Sequence, residues 1–237
     1  MINQSYLILD LETTSNEKHG RKGHYAYNDI IAIGLCNKEG VYTQYIYPER
    51  LTNLAIDEQI VIGHNIKYDL LYVWELPQLQ EWISNGGTIW DTQFVENIIT
   101  GQQTKYAALR DIAVNKYGCK ERPKHIERLL FDRDETDTSL PEYKSMIELP
   151  KELVLEDVKN DVLDTEQVFL QQYKYCEENK LLPLIQRHME ALLMTTEAEY
   201  NGMKISDKVL IQNESELRAE LQRINDELVA LVKEFWR

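Results

Sequence analysis

The chain has 237 residues, enough for one full domain with a large core plus an appendage, and its 43% hydrophobic and 28% charged content is ordinary for a globular protein. A formal net charge of −14 argues against a protein that grips nucleic acid by bulk positive charge. It leaves room for one that binds through metal ions, because cations reverse the local field of clustered carboxylates.

Three widely spaced cysteines, Cys36, Cys119 and Cys176, suggest neither a disulfide framework nor a zinc knuckle and fit a reducing, cytoplasmic compartment. The N-terminus carries no signal-peptide pattern, and no apolar run approaches the ~18 residues of a membrane span, so no membrane partner is expected.

Tyr6-Leu7-Ile8-Leu9 is a short apolar run that predicts a buried strand ending at Asp10. Residues 14–29 are polar, with Lys18, His19, Arg21, Lys22 and His24, and read as a loop. Ile30 to Leu35 and Val41 to Tyr47 predict two further strands, the three forming a meander. Ile60-Val61-Ile62 is a fourth strand, running into Gly63-His64-Asn65 and then a helix from about Lys67 to Trp74. Gly86-Gly87 marks a turn, Thr88-Ile89-Trp90 leads to Asp91, and helices are expected through Ile98 and over Tyr106 to Tyr117, the latter stopped by Gly118. Residues 119–150 are charged, with scattered prolines, and read as irregular with short helices.

Glu152 to Glu178 predicts a long helix whose apolar stripe is Leu155, Val158, Val162, Thr165 and Phe169. Pro183 opens the next helix, which Asn201-Gly202 ends, and Ser206 or Asp207 can cap the last one. There Leu217, Leu221, Ile224, Leu228, Leu231 and Phe235 repeat as a heptad seam that wants a partner helix. With no helix stop signal at Trp236-Arg237, the chain reads as a fragment or as half of a split polypeptide.

The chemistry resides in carboxylates. Asp10-Leu11-Glu12 places two acids on one face of an extended chain. With one or two more from elsewhere, such a pair can hold two Mg²⁺ or Mn²⁺ ions suited to phosphodiester cleavage. An Asp-x-Glu pair alone is a weak signal, since Asp164-Thr165-Glu166 repeats it in this acidic chain. Two further elements strengthen it: His64-Asn65-Ile66-Lys67-Tyr68-Asp69 after another apolar strand, and Asn160-Asp161 with Asp164-Thr165 on the long helix.

Together, Leu9 to Thr14, His64 to Asp69 and Asp161 to Thr165 resemble the three exonuclease motifs of the DEDD superfamily. They look most like the proofreading domain of family A DNA polymerases, bacterial or phage. Trp90-Asp91-Thr92 and the stretch from Leu109 to Gly118 resemble the segments between the second and third motifs, so the likeness runs from about residue 5 to 175. His188 to Phe235 resembles the segment that opens the polymerase thumb, and nothing resembles the palm or fingers.

The resemblance implies an α/β fold, a ribonuclease H-like mixed five-stranded sheet flanked by helices. An exonuclease domain over 1–180 would be followed by a helical, thumb-like extension over 181–237. It implies a magnesium-dependent 3′–5′ exonuclease that proofreads during DNA replication by removing nucleoside monophosphates from single-stranded DNA 3′ ends. Asp10, Glu12, Asp69 and Asp161 match the metal-binding carboxylates, and Thr13 and Asn65 match positions near the terminal nucleotide.

One departure stands out. The family places Tyr four residues, or His five, before the last Asp, to orient or deprotonate the attacking water. Here those positions are Asp157 and Glu156. On a helix Asp157 shares a face with Asp161, and it can take the water, add a metal ligand or be a solvated neighbour.

A second reading follows from that departure: an exonuclease-like scaffold of weak or lost catalysis that docks a polymerase chain through the heptad helix. A ribonuclease of the same superfamily is a third, disfavoured by the thumb-like segment. His64 can be read as a base, although a lone His at a strand end is more often a satisfied hydrogen-bonding group. The basic run Lys116, Lys120, Arg122, Lys124 and Arg128 reads as a solvated charge run more readily than as a strand-tracking surface, and Tyr68, Trp74, Trp82 and Trp90 read as core.

Overall fold

Apolar runs bounded by turn residues set the strands. The computed structural model describes residues 4–14, 25–102, 106–122, 145–204 and 206–235. Strands β1 (Tyr6–Thr13), β2 (Ile30–Asn37) and β3 (Gly40–Tyr45) form the expected antiparallel meander. Strands β4 (Ile60–Gly63) and β5 (Thr88–Asp91) extend the sheet beyond β1 with parallel pairings, giving the order β3-β2-β1-β4-β5. All four residues of β4 are buried, as expected of a central strand covered on both faces. β3 alternates exposed and half-buried residues at the sheet edge.

The helices are α1 (Ile66–Val73), α2 (Pro77–Ser84), α3 (Thr92–Ile99), α4 (Leu109–Asn115), α5 (Lys151–Glu178), α6 (Leu182–Asn201) and α7 (Asp207–Phe235), with a short 3-10 turn at Met146–Glu148. The expected mixed sheet flanked by helices is therefore present.

Three local expectations need correction. Helix α2 was not expected: only Leu79 and Trp82 bury a face, too sparse a pattern to announce a helix, although Pro77 supplies a preset first turn. Helix α4 starts at Leu109 rather than Tyr106, because Ala108 is extended and the Ala107 carbonyl is taken up by His64 and Gln93. On α5 the buried stripe opens at Val154, and Leu155 is only partly buried, against a satellite cluster that includes Ile31 and Val158. Val158, Val162, Thr165 and Phe169 are buried as the periodicity predicts.

Helix α5 packs on the sheet face that carries Tyr6, Ile8, Asp10 and Glu12. Phe169 meets the rings of Tyr6 and Trp90 edge-on at 5.3 and 5.4 Å, and the Tyr6 hydroxyl donates to Glu166 at 2.8 Å. Trp74, Trp82 and Trp90 are core, as expected; Trp82 donates its ring N–H to the Glu58 carbonyl and Trp90 to Gln172.

Gly34 on β2 pairs with Asp10. A Cβ there would sit 2.9 Å from methyls of both Val158 and Val162 and 3.0 Å from the Val158 carbonyl. The missing side chain lets α5 press against the sheet beside the strand position that holds Asp10.

The chain divides into two compact units, Met1–Tyr200 and Asn201–Arg237. Ile185 and Met189 of α6 join the hydrophobic core of the first unit. Gly202, at φ 64°, follows the end of α6 as its sequence predicts. In the second unit, the whole heptad seam of α7 from Leu217 to Phe235 is exposed, and Arg218 and Arg223 pair along the helix with Glu214, Glu220 and Glu227. No described helix is long and apolar enough to cross a membrane. The basic loop of Lys18 to His24, Lys124, Arg128 and Trp236-Arg237 lie outside the described residues.

Candidate metal centre

The C-terminal ends of β1, β4 and β5 form one rim, and each delivers a different part of the site. Alternation along β1 turns Asp10 and Glu12 to the face under α5. Asp161, on the α5 turn between the buried Val158 and Val162, completes a triplet: carboxylate oxygens of Asp10, Glu12 and Asp161 lie within 4.8 Å of one another. Asp69 arrives from α1, is buried, and accepts a 2.9 Å hydrogen bond from the Leu11 backbone N–H, between the two β1 acids.

Packing these acids together is costly while they stay charged. Burial, then the Asp157 charge, pushes Asp10 up to about 7. Burial also raises Glu12 well above its ordinary range, with Asp10, Asp161, Asp157 and Asp69 adding to the effect. Asp69 is raised by burial and by Asp10, and Asp161 by burial, Asp10, Asp157 and Asp164, while Arg122 pulls Asp161 back.

An oxygen-only donor set of this density suits Mg²⁺ or Mn²⁺, and the repulsion is what a divalent cation would relieve. The residues present therefore fit such an ion.

Asp157, one turn before Asp161 on α5, is half-buried and its charge raises Asp10, Glu12 and Asp161, whereas Glu156 is exposed. Thr13, the last residue of β1, has its hydroxyl 2.6 Å from that of Tyr68, which lies 3.1 Å from Tyr72. Tyr68 is thus half-buried at the site edge rather than in the core. Asn65 is exposed at the head of α1 in a left-handed conformation (φ 59°), its backbone N–H held by Asp91 at 3.2 Å. Asp91 itself caps α3 by accepting from Gln93 and Phe94.

His64 is not a base. Its ring contacts Thr92 Oγ1 and the Ala107 carbonyl, both at 3.0 Å, and burial pulls it down to about 4, so it stays neutral and ties β4 to the segment before α4.

The segment after α4 is fastened as well. Glu96, buried on α3, accepts from Lys116, Tyr117 and Gln172; burial pushes its carboxyl up, but these partners outweigh that and hold it below its ordinary range. Arg122 forks onto both oxygens of Asp164 at 3.0 Å and onto the Asn160 carbonyl at 2.9 Å, one turn or less from Asp161. Lys116 and Arg122 are therefore spent on internal partners rather than lining a path for a nucleic acid.

Two contributors escaped the sequence reading. Gly34 was detectable as a lone glycine inside an apolar strand, a sign of close backbone approach. The Arg122–Asp164 clamp left no signal, since its members are 42 residues apart.

No protein-family model matches the sequence, and no curated protein matches it. Among solved structures, the chain resembles NrnC of Brucella melitensis with bound Mg²⁺ at a TM-score of 0.58 and 12% identity, over 86% of this chain and 90% of that one. It also resembles Brucella melitensis NrnC bound to pGG, at a TM-score of 0.55 and 12% identity, over 86% and 89%. At that identity the likeness speaks for the fold alone, a ribonuclease H-like mixed sheet flanked by helices.

Proposed function

We propose that this chain is a divalent-cation-dependent nuclease that removes nucleoside monophosphates from the 3′ end of single-stranded DNA. The observation that carries this reading is the triplet of Asp10, Glu12 and Asp161, packed at the sheet rim in an oxygen-only site. The fold shared with NrnC, seen with Mg²⁺ and with pGG, supports it.

Asp10, Glu12, Asp161 and Asp69 would hold one or two Mg²⁺ or Mn²⁺ ions. Such ions would supply Lewis-acid stabilisation of the phosphoryl oxygens and a more acidic attacking water. Asp157, one turn before Asp161 on α5, would accept the proton of the attacking water, at the position where the family has Tyr. The water oxygen bonds to the terminal phosphorus, the bond to the 3′ oxygen of the preceding nucleotide breaks, that oxygen takes a proton from solvent, and a nucleoside 5′-monophosphate and a strand one nucleotide shorter leave. Thr13, against Tyr68 of α1, and Asn65, at the head of α1, hold the terminal nucleotide. Proofreading beside a family A polymerase, docked through the exposed seam of α7, is the setting that the motifs favour.

Strands labelled at the 5′ end should shorten in single-nucleotide steps with Mg²⁺ or Mn²⁺ and stay intact in chelator, and a 3′-terminal phosphorothioate linkage should slow them. Endonucleolytic fragments, or trimming from the 5′ end, would refute the assigned polarity.

The substitution at Asp157 favours a second reading, a scaffold with residual catalysis. It predicts that wild type shortens the strand little or not at all under the same conditions and that Asp157→Tyr raises the activity.

A further inference from the structure

We propose that Phe94, Tyr106 and His188 form a stacking platform for an unpaired nucleobase, a subsite that guides the strand toward the carboxylates. It rests on the nuclease reading above and adds a residue-level account of how an acidic protein holds its substrate.

Tyr106 is 58% exposed, yet its ring is not loose. It lies nearly parallel to Phe94, with centroids 6.4 Å apart and planes at 23°, and Phe94 in turn meets His188 at 5.5 Å. Each ring is mounted on a fixed point. The residue after Tyr106 is clamped through its carbonyl by His64 at 3.0 Å and Gln93 at 2.9 Å. The Phe94 N–H is bound to Asp91 at 3.0 Å. His188 precedes Met189, a buried residue whose sulfur accepts from the Asp91 N–H at 3.3 Å. A rigid aromatic surface with one open face is what base stacking needs.

Its position is also informative. Phe94 follows β5, Asn65 follows β4, and Asp10 and Glu12 of the acidic triplet lie near the end of β1, all on the same rim of parallel-paired strands. Two strand spacings, ~10 Å, separate β5, which leads into the platform, from β1, which carries Asp10 and Glu12. Charge gives the complementary argument. Lys67, Lys116 and Arg122 are paired with Glu199, Glu96 and Asp164. In a chain of net charge −14, a sequence-tolerant grip through base faces fits better than one through phosphates.

The test is steady-state digestion of oligothymidylate by the full chain with Mg²⁺. Tyr106→Ala should raise KM about 5- to 100-fold with kcat within about twofold, and Tyr106→Trp should restore KM. On a strand lacking the bases next to the 3′ terminus, wild type and Tyr106→Ala should have the same KM. Equal KM values on the full strand, or an equal loss on the base-less strand, would overturn the platform and leave the nuclease reading standing. A wild type that digests neither strand would overturn both.

Discussion

Replacing Asp10 with Asn should lower nuclease turnover by about a thousandfold or more and, in the same protein freed of metal, raise thermal stability. The first effect follows from losing a ligand oxygen in a centre whose charge stabilisation is worth several kcal/mol in the transition state. The second follows from the acidic cluster.

Asp10 sits at about 7 in the folded chain against an ordinary 3.8, because burial and then Asp157 disfavour its charged form. Between those values the folded state keeps a proton that the unfolded chain has released. The stability this group contributes is full below about pH 4 and is lost as pH rises to about 7, a loss of up to roughly 4 kcal/mol. Asn keeps the shape and carries no charge. Unfolding in chelator should therefore show Asp10→Asn and wild type alike near pH 4 and the variant ahead at pH 7, by ~16 °C in Tm at most. Saturating Mn²⁺ should reverse the order at pH 7, since an ion bound by the folded wild type stabilises it by mass action. A variant less stable than wild type at pH 7 in chelator would contradict the repulsion described for this cluster.

Gly34→Ala should destabilise the protein by about 1–3 kcal/mol and reduce turnover although no candidate ligand is touched. The added Cβ would meet Val158 and Val162 at 2.9 Å, inside any ordinary contact, so α5 must move off the sheet or the valines must leave their rotamers. Either movement shifts the helix turn that carries Asp157 and Asp161 relative to Asp10, the cross-strand partner of Gly34. Displacements near 1 Å are enough to cost a hundredfold in a positioned reaction. Denaturant unfolding together with single-turnover digestion would check both parts. Loss of activity at unchanged stability, or the converse, would show that the close approach does not position the helix. Val162→Ala in the Gly34→Ala background should recover part of both, because it removes one of the two opposing methyls.

Much of this architecture was legible in the residues because its signals are local. The apolar runs of β1, β2 and β4 are short and dense, and the 3–4 spacing on α5 fixed which face meets the sheet, to within one residue at Val154. Strand alternation puts Asp10 and Glu12 on one face, and only the resemblance to the exonuclease motifs implied that Asp161 joins them; the structure brings the three carboxylates' oxygens within 4.8 Å. Asp69 was harder to place: its carboxylate is fastened to the Leu11 backbone, a contact across 58 residues that periodicity cannot show.

What stayed hidden is tertiary in the same sense. Tyr68 read as core because an aromatic on a short helix usually packs inward, but a hydroxyl partner on Thr13 keeps it at the edge. The start of α4 depended on a carbonyl claimed by His64, and α2 on two buried side chains in a polar stretch.

Catalysis of this kind requires that the acidic triplet hold a cation. Electron paramagnetic resonance of Mn²⁺ titrated into the metal-free chain tests this without depending on turnover. The wild-type protein should quench the signal of free Mn²⁺ stoichiometrically, Mg²⁺ should compete it back, and the Asp10→Asn/Asp161→Asn double variant should leave it unquenched. Equal quenching by wild type and the double variant, or none by either, would contradict it.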